Sequence, residues 1–267
     1  MSAASSRERT AGDLLWHAWQ SGESIDTLPI DVRPADRAQG YAVQAQLDAR
    51  TTEPIAGWKI AATSAAGQKH INVSGPLAGR VLAERVHADG AALSMVGNRM
   101  AVAEAEFVFR MARDLVPRAA AYGRDEAMAA VADLYLGIEV PNSRFADFVG
   151  AGEAQLIADC ACAHDFVLGP KVTLPWRSLD LSAHAVQTRV TGATRSYTRD
   201  GVGANVLGDP RTALVWLVNE LSMLGVTLAA GQFVTTGTCV VPLEIAAGDT
   251  VEADFGALGR MSASFTD

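Results

Sequence analysis

Hydrophobic and polar residues follow two different periods along this chain. Over residues 6–20 and again over residues 34–50, apolar positions recur every three or four residues, as in an amphipathic helix. Beyond about residue 95, short apolar stretches alternate with glycine turns, a pattern typical of β-strands. The pattern therefore predicts an α+β fold. A small, mainly helical N-terminal region (residues 1–90) is expected to pack on a larger body of mixed β-sheet (residues 91–267).

One helix is predicted inside the β-rich body. Asp209 is a suitable N-cap, Pro210 suits the first helical position, and Gly225 ends the apolar repeat between them. Strands are expected after it over residues 232–236, 250–255 and 260–265. The last two strands are predicted to form a hairpin around residues 256–259.

Three glutamates lie within apolar, strand-like stretches of the body. Glu104 and Glu106 occur in residues 102–109, and Glu139 occurs in residues 136–141. Because strand side chains alternate faces, Glu104 and Glu106 project to the same side, about 7 Å apart at Cα. A lone Glu-x-Glu pair is usually a solvated sheet face. The third glutamate favours a divalent metal site, since buried carboxylates need a positive partner and Mg²⁺ prefers oxygen ligands.

Two other ionisable residues have apolar sequence neighbours. Lys59 is interpreted either as a snorkelling side chain or as a desolvated functional amine. Asp159 is interpreted either as a turn or cap residue or as a buried acid with a chemical role. The glycine-rich segment 201–210 leads into a helix N-terminus, where an anion can bind, but it lacks the spacing of a phosphate-binding loop. A tight connection is the simpler interpretation.

Composition limits the classes of function. The 267 residues are 49% hydrophobic and 19% charged, which is typical of a globular protein. A formal charge of −8 argues against a nucleic-acid or anionic membrane surface. Neither a signal peptide nor a membrane span is predicted. The odd cysteine count, from Cys160, Cys162 and Cys239, is typical of reduced, buried thiols and predicts a cytoplasmic location.

Taken together, these motifs resemble the 2-oxopent-4-enoate (2-keto-4-pentenoate) hydratase and 4-oxalocrotonate decarboxylase family, a branch of the fumarylacetoacetate hydrolase superfamily. The resemblance runs from about Tyr41 onwards. It is carried by Gly57-Trp-Lys-Ile followed by Thr63, Ala103-Glu-Ala-Glu-Phe107, Gly137-Ile-Glu-Val-Pro141, Ala158-Asp159, Val206-Leu-Gly-Asp-Pro210 and Thr236-Gly237.

The resemblance implies a barrel-like sheet body and a homo-oligomeric, metal-dependent hydratase of aromatic meta-cleavage catabolism. Such an enzyme adds water to a 2-hydroxy-2,4-dienoate and gives a 4-hydroxy-2-oxo acid. The implied site comprises Glu104, Glu106 and Glu139 on Mg²⁺ or Mn²⁺, Lys59 and Asp159 as catalytic residues, and Thr63, Thr236 and Gly237 on the substrate. The alternatives are a 4-oxalocrotonate-type decarboxylase and a non-catalytic partner subunit, and association with a sister decarboxylase is also implied.

Two stretches depart from the family pattern. The chain has Lys59-Ile-Ala-Ala-Thr63 where the family usually has Lys-Val-Gly-Leu-Thr, and Asp159-Cys-Ala-Cys162 where it usually has Asp-Asn-Ala/Gly-Ser. A decarboxylase must also bind a second carboxylate, and these small, apolar stretches offer no partner for one. Hydration is therefore the expected reaction. Arg144 and Lys69 are the residues that could overturn this expectation, if either is placed to bind a second carboxylate.

Overall fold

A computed structural model describes residues 6–267 of the chain. The described residues form six α-helices: α1 (Ser6–Ser21), α2 (Arg37–Gln44), α3 (Ala65–His70), α4 (Arg124–Ala129), α5 (Glu153–Ala158) and α6 (Pro210–Met223). The described residues also form short 3₁₀ turns at Ala45–Ala49, Ala83–Arg85, Cys160–Cys162, Trp176–Ser178, Gly203–Asn205 and Gly256–Leu258. None of the helices in this part of the chain is long and apolar enough to span a membrane.

Thirteen strands make up the rest of the regular structure of residues 6–267. They are β1 (Ile55–Ala61), β2 (Leu77–Leu82), β3 (Val86–Ala88), β4 (Ala92–Ser94), β5 (Val102–Met111), β6 (Val131–Val140), β7 (Asp165–Lys171), β8 (Ala185–Thr191), β9 (Ser196–Val202), β10 (Phe233–Thr238), β11 (Leu243–Glu244), β12 (Thr250–Asp254) and β13 (Arg260–Thr266).

The larger sheet has the strand order β2-β1-β10-β5-β6-β7-β3, with β11 paired to β5. It is mixed: β1 runs parallel to β10 and β3 parallel to β7, whereas the long strands β5 and β6 are antiparallel to each other and to their other neighbours. The three strands that carry Lys59, Thr235 and Glu106 are therefore adjacent at the centre of this sheet.

The second sheet has the order β4-β13-β12-β8-β9 and packs through β13 against β6 and β7. The core between elements includes Ala103, Ala105, Phe107 and Phe109, which lie on the face of β5 opposite to its glutamates and are all buried. Phe107 meets Phe255, which follows β12, with ring centroids 5.3 Å apart in an edge-to-face contact. The burial predicted from strand alternation in β5 is thus confirmed.

The predicted α+β class is confirmed, and so are the main elements. The helix expected after Asp209 begins at Pro210, with the Asp209 side chain accepting a hydrogen bond from the Arg211 backbone N–H. The hairpin of β12 and β13 is also present. The helix predicted over residues 34–50 corresponds to α2 (Arg37–Gln44) and the 3₁₀ turn Ala45–Ala49 that follows it directly.

The boundary predicted near residue 90 stays a prediction, but the first ninety residues contribute more to the sheet than their helices suggest. Strands β1, β2 and β3 all come from this region and join the larger sheet. The helices are tied to the same sheet by Gln44, which is fully buried in α2 and donates hydrogen bonds to the carbonyls of Ala78 and Ile157.

Candidate active site

Glu104, Glu106 and Glu139 converge at one point on the larger sheet. Glu104 lies directly opposite Glu139 in the antiparallel pair β5–β6, and Glu106 follows on the same face of β5. Each residue offers a carboxylate oxygen, and these oxygens lie within 4.8 Å of one another. Glu106 and Glu139 are buried, and Glu104 is half-buried. The strand period thus places the three predicted carboxylates together, and they are not a solvated sheet face.

The cluster is electrostatically unfavourable without a cation. Burial, reinforced by the charge of Glu139, raises the pKa of Glu104 to about 7. Burial and the charges of Glu139 and Glu104 likewise raise the pKa of Glu106 well above its ordinary value. Glu106 Oε1 and Glu139 Oε2 are also buried without any hydrogen-bond partner. Two unpaired, convergent oxygens in an all-oxygen donor set fit a hard divalent cation such as Mg²⁺.

A β-bulge in β10 fixes the other oxygen of Glu106. The register between β10 and β5 shifts between Thr235 and Thr238, so that both the Thr235 hydroxyl and the Gly237 N–H donate to Glu106 Oε2, the latter over 2.7 Å. Gly237 has φ +103°, and a Cβ on it would lie 2.3 Å from Thr63 Oγ1, so only glycine fits here.

Thr235 is a site residue that the sequence analysis did not single out. It pairs with Lys59 in the parallel register of β1 and β10. The neighbouring Thr236 faces the other side of the strand and donates to the Phe107 carbonyl. The parity of Thr235 with Gly237 was the available signal, because residues two apart in a strand share a face.

Lys59 of β1 is buried beside the carboxylates, so its interpretation as a snorkelling surface side chain is wrong. Its Nζ lies 3.0 Å from Glu139 Oε1 and donates to the Ala161 carbonyl over 2.9 Å. Burial by itself disfavours the ammonium, but the charges of Glu139 and Glu104 outweigh it and raise the pKa of Lys59. Lys59 is therefore an ammonium at neutral pH, and one of its three N–H donors is left for another acceptor.

The Ala161 carbonyl is presented by an unusual left-handed turn. Cys160, Ala161 and Cys162 have φ values of 53°, 50° and 62°, although none is a glycine. Such a conformation costs of the order of 1 kcal/mol per residue, and it persists only when the surroundings hold it. The chain runs close to this turn at Gly79, where a Cβ would lie 2.0 Å from the Cys160 carbonyl oxygen.

Arg144 and Asp159 hold the turn from both ends. The Arg144 guanidinium forms an ion pair with the Asp159 carboxylate, donates to the Asp159 carbonyl, and donates to the Ala163 carbonyl over 2.9 Å. The Ser143 hydroxyl and the Arg144 N–H also donate to Asp159, over 2.7 and 3.0 Å. Burial raises the pKa of Asp159, and Arg144 opposes that shift. All of these contacts favour a supporting role for Asp159.

A cavity of about 1000 Å³ opens next to the cluster, and Lys59, Glu104, Thr63 and Cys162 line it. Among the described residues of its wall, neither Asp159 nor Thr236 nor Gly237 is present. The structure therefore brings Lys59, Thr63 and Glu104 to the cavity wall, with Glu106 and Glu139 clustered beside Glu104, and places Asp159, Thr236 and Gly237 among residues that support it. The catalytic and substrate-binding roles of all these residues stay predictions.

The glycine-rich segment before α6 is a tight connection, as the simpler interpretation predicted. The N–H groups of Ala204, Val206, Leu207, Gly208 and Asp209 all donate to backbone carbonyls. They are not free to bind an anion.

The cysteines are free and buried, as predicted. Burial raises the pKa of both Cys160 and Cys162 to about 12, so each stays a protonated thiol at neutral pH. Neither one is a reactive thiolate.

Comparison with known proteins agrees with this geometry. Residues 41–266 match the family model described as fumarylacetoacetate (FAA) hydrolase C-terminal. The chain belongs to the fumarylacetoacetate hydrolase family. It is 32% identical over 256 residues to the 2-keto-4-pentenoate hydratase of Burkholderia vietnamiensis (strain G4 / LMG 22486), covering 95% of each chain. It is 29% identical over 263 residues to the 2-hydroxyhexa-2,4-dienoate hydratase of Comamonas testosteroni, covering 97% of each.

These matches confirm the predicted family branch and, at the level of the family, an enzyme of the hydro-lyase class. Among solved structures, the 4-oxalocrotonate decarboxylase of Pseudomonas putida G7, complexed with magnesium and adipate, has a TM-score of 0.85 at 23% identity and covers 97% of each chain. This likeness confirms the predicted mixed-sheet body of the fumarylacetoacetate hydrolase family.

Proposed function

We propose that the protein is a metal-dependent hydratase that converts a 2-hydroxy-2,4-dienoate into a 4-hydroxy-2-oxo acid. The observation that carries the proposal is the buried cluster of Glu104, Glu106 and Glu139, with two unpaired oxygens, beside the ammonium of Lys59 at a cavity wall. The curated relatives are named as hydratases of such dienoates, which gives the cluster its substrate class.

Glu104, Glu106 and Glu139 would hold the divalent cation, Mg²⁺ or Mn²⁺. When bound, such a cation stabilises negative charge on the oxygens of a 2-oxo acid, which is Lewis-acid catalysis. Thr235 and Gly237 fix one oxygen of Glu106 and leave the other without a hydrogen-bond partner, so that it could ligate the cation. The protein thereby sets the carboxylate orientation before substrate arrives.

Lys59 is the residue placed to handle protons and oxyanion charge. Since it is an ammonium, it acts as a hydrogen-bond donor or acid in the resting enzyme and not as a base. Protonation of the dienol chain gives the conjugated 2-oxo-3-enoate, with the enol proton lost from the 2-hydroxyl. Water then adds across C3 and C4: its oxygen bonds to C4 and a proton goes to C3.

Decarboxylation of 4-oxalocrotonate is the second candidate, because the same enolate precedes the loss of CO₂. It needs a partner for a second carboxylate. Arg144 is already paired with Asp159, and Lys69 is exposed on α3 and is not among the described residues that line the cavity. Among the described residues, neither Arg144 nor Lys69 lines the cavity, which supports hydration.

The test follows 2-hydroxypenta-2,4-dienoate and 4-oxalocrotonate separately with Mg²⁺ or Mn²⁺ and with a chelator. We expect loss of the dienoate absorbance and a product heavier by one water, and we expect the chelator to abolish both. Release of CO₂ from 4-oxalocrotonate, without hydration of the dienoate, would establish the decarboxylase instead. A cytoplasmic, homo-oligomeric enzyme that associates with a sister decarboxylase remains part of the proposal, and size-exclusion chromatography with light scattering tests its assembly.

A further inference from the structure

We infer that the preferred substrate carries a sizeable apolar substituent at the end of the dienoate chain that is remote from C1. This inference rests on the proposed function and concerns the specificity of the same site. It follows from the size of the cavity, the chemistry of its wall and the distribution of charge around it.

The cavity is too large for the simplest substrate. Pockets of about 300–1000 Å³ bury most of the surface of drug-sized ligands. At about 1000 Å³, this cavity is at the upper end of that range, whereas 2-hydroxypenta-2,4-dienoate has only five carbons. A substrate of that size leaves most of the cavity to water, and its binding gains nothing from most of the wall.

The wall beyond the charged cluster is mostly apolar, with Ser64, Gln68, Asn205 and Thr238 as its polar residues besides Thr63 and His70. The larger side chains that line it include Ile71, Met100, Phe148, Leu156, Leu207 and Val240, and the α3 segment adds the small residues Ala65 and Ala66. Phe148 is partly exposed and packs edge-on against His70, with ring centroids 6.3 Å apart. Such a surface binds alkyl or aryl groups, because about 25 cal/mol is gained for each Å² of apolar surface removed from water.

Positive charge is confined to one end of the site. Lys59 is the sole lysine among the described lining residues, none of which is an arginine, and it is already engaged with Glu139. His70 is the remaining basic side chain of the wall. The loop that contributes Ala204, Leu207 and Gly208 offers none of their N–H groups, which are bonded within the protein. The cavity therefore recognises one carboxylate, at the metal-site end, and an uncharged remainder.

The test is a substrate series in the full-length, metal-loaded enzyme. It compares 2-hydroxypenta-2,4-dienoate with its 5-propyl, 5-phenyl and 5-(2-carboxyethyl) derivatives, of which the propyl and carboxyethyl groups are nearly matched in length. Burial of a methylene raises affinity about fourfold, so three of them predict an increase in kcat/KM of about 10- to 60-fold from the unsubstituted to the propyl substrate. The phenyl substrate should match or exceed the propyl one, and the carboxyethyl substrate should fall below it by at least about tenfold.

Two variants locate the effect in this cavity. Ala66→Trp and Val241→Trp fill it from different segments, and both residues are exposed enough to accept tryptophan without disturbing the core. In each variant we expect the propyl-to-unsubstituted ratio of kcat/KM to fall below about fivefold. Ala38→Trp, at an exposed position of α2 outside the wall, is the matched control and should leave the ratio unchanged.

The outcomes separate the two claims. The inference is wrong if every substrate is hydrated with a similar kcat/KM, or if the propyl and carboxyethyl substrates react equally fast. Either result leaves the proposed hydratase function unaffected. Unchanged ratios in both tryptophan variants also overturn the inference. Failure to hydrate any dienoate overturns the proposed function, and the inference with it.

Discussion

Lys59 and Glu139 form a buried ion pair, with Nζ 3.0 Å from Oε1, at the edge of a cluster of three carboxylates. This ion pair sets the net charge of the cluster and therefore the charge of the cation that would neutralise it. Three carboxylates and one ammonium leave a formal charge of −2, which one divalent cation neutralises. Lys59 therefore sets the net charge of the proposed metal site in addition to facing the cavity.

The first prediction concerns stability with metal. Mg²⁺ or Mn²⁺ at a hundredfold excess over its Kd should stabilise the folded protein by about 2.7 kcal/mol, because it binds only that state. Glu106→Gln should lose most of this gain. The metal-free variant should be at least as stable as the wild type, since it removes one of the repelling charges while keeping an oxygen for Thr235 and Gly237.

Melting temperature with and without metal measures both effects. Glu126→Gln is the matched control, because Glu126 is a half-exposed glutamate paired with Arg118 outside the cluster. An equal metal response in Glu106→Gln and wild type would contradict the assignment of Glu106 as a ligand.

The second prediction concerns Lys59. Lys59→Met should lower kcat by about 10²–10³, the typical cost of removing one donor to a developing oxyanion. The thermal response to metal should persist in this variant, which separates the role of Lys59 in turnover from a loss of the ion. Lys171→Met, at a half-exposed lysine paired with Asp133, is the control. A Lys59→Met enzyme with wild-type kcat would show that the amine serves only the charge balance.

The convergence of the three glutamates could be predicted from the sequence because it depends on local periodicity. Glu104 and Glu106 share a face wherever residues 102–109 form a strand. The apolar stretch around Glu139 likewise predicts the strand β6. The predicted α+β class depends on the same local patterns. The start of α6 could also be predicted from Asp209 and Pro210, and the hairpin of β12 and β13 could be predicted from the turn after β12.

The supporting residues could not be predicted in this way, because their roles depend on tertiary contacts. The bulge in β10 makes Thr235 rather than Thr236 the partner of Glu106. Arg144 is fifteen residues from Asp159 in sequence, and no local pattern shows that its guanidinium spans the turn at Cys160–Cys162. Strands β1 and β2 were not predicted within the N-terminal region, because residues 57–60 of β1 and all of β2 are buried and so lack an alternating polar face.

The third prediction tests the supporting role of Asp159. Asp159→Asn leaves Arg144 as a buried charge without its partner, and breaking such a pair typically costs about 3–5 kcal/mol in the free energy of unfolding. Urea denaturation measures this loss. Asp13→Asn, which breaks the pair of Arg50 with a largely exposed aspartate, should cost less than about 1 kcal/mol. A large fall in kcat in Asp159→Asn with unchanged stability would instead support direct acid or base chemistry.

The last prediction concerns pH and His164, which lies against the support of the turn. Its ring stacks on Trp19 with centroids 6.0 Å apart, and Trp19 also contacts the Arg144 guanidinium. Burial lowers the pKa of His164 to about 4; Asp165 opposes this shift, while Arg144, Arg85 and His87 add to it. His164 Nδ1 is buried without a partner, so the folded protein holds the neutral ring.

The direction in which the free energy of unfolding changes with pH follows from whether the folded or the unfolded chain binds the proton first. An unfolded histidine has a pKa of about 6.5, so the unfolded chain takes up the proton first as pH falls. The free energy of unfolding should therefore decrease from about pH 6.5 down to about pH 4, and this group contributes about 2 kcal/mol of that loss by pH 5. His164→Phe keeps the stacked ring and removes the titration. Urea denaturation at pH 7 and pH 5 should thus show a loss smaller by about 2 kcal/mol in the variant than in the wild type. His17→Phe, at an exposed histidine of α1, is the control and should lose as much stability as the wild type. An equal loss in His164→Phe and the wild type would show that the His164 ring is already protonated in the folded protein, and would contradict the prediction.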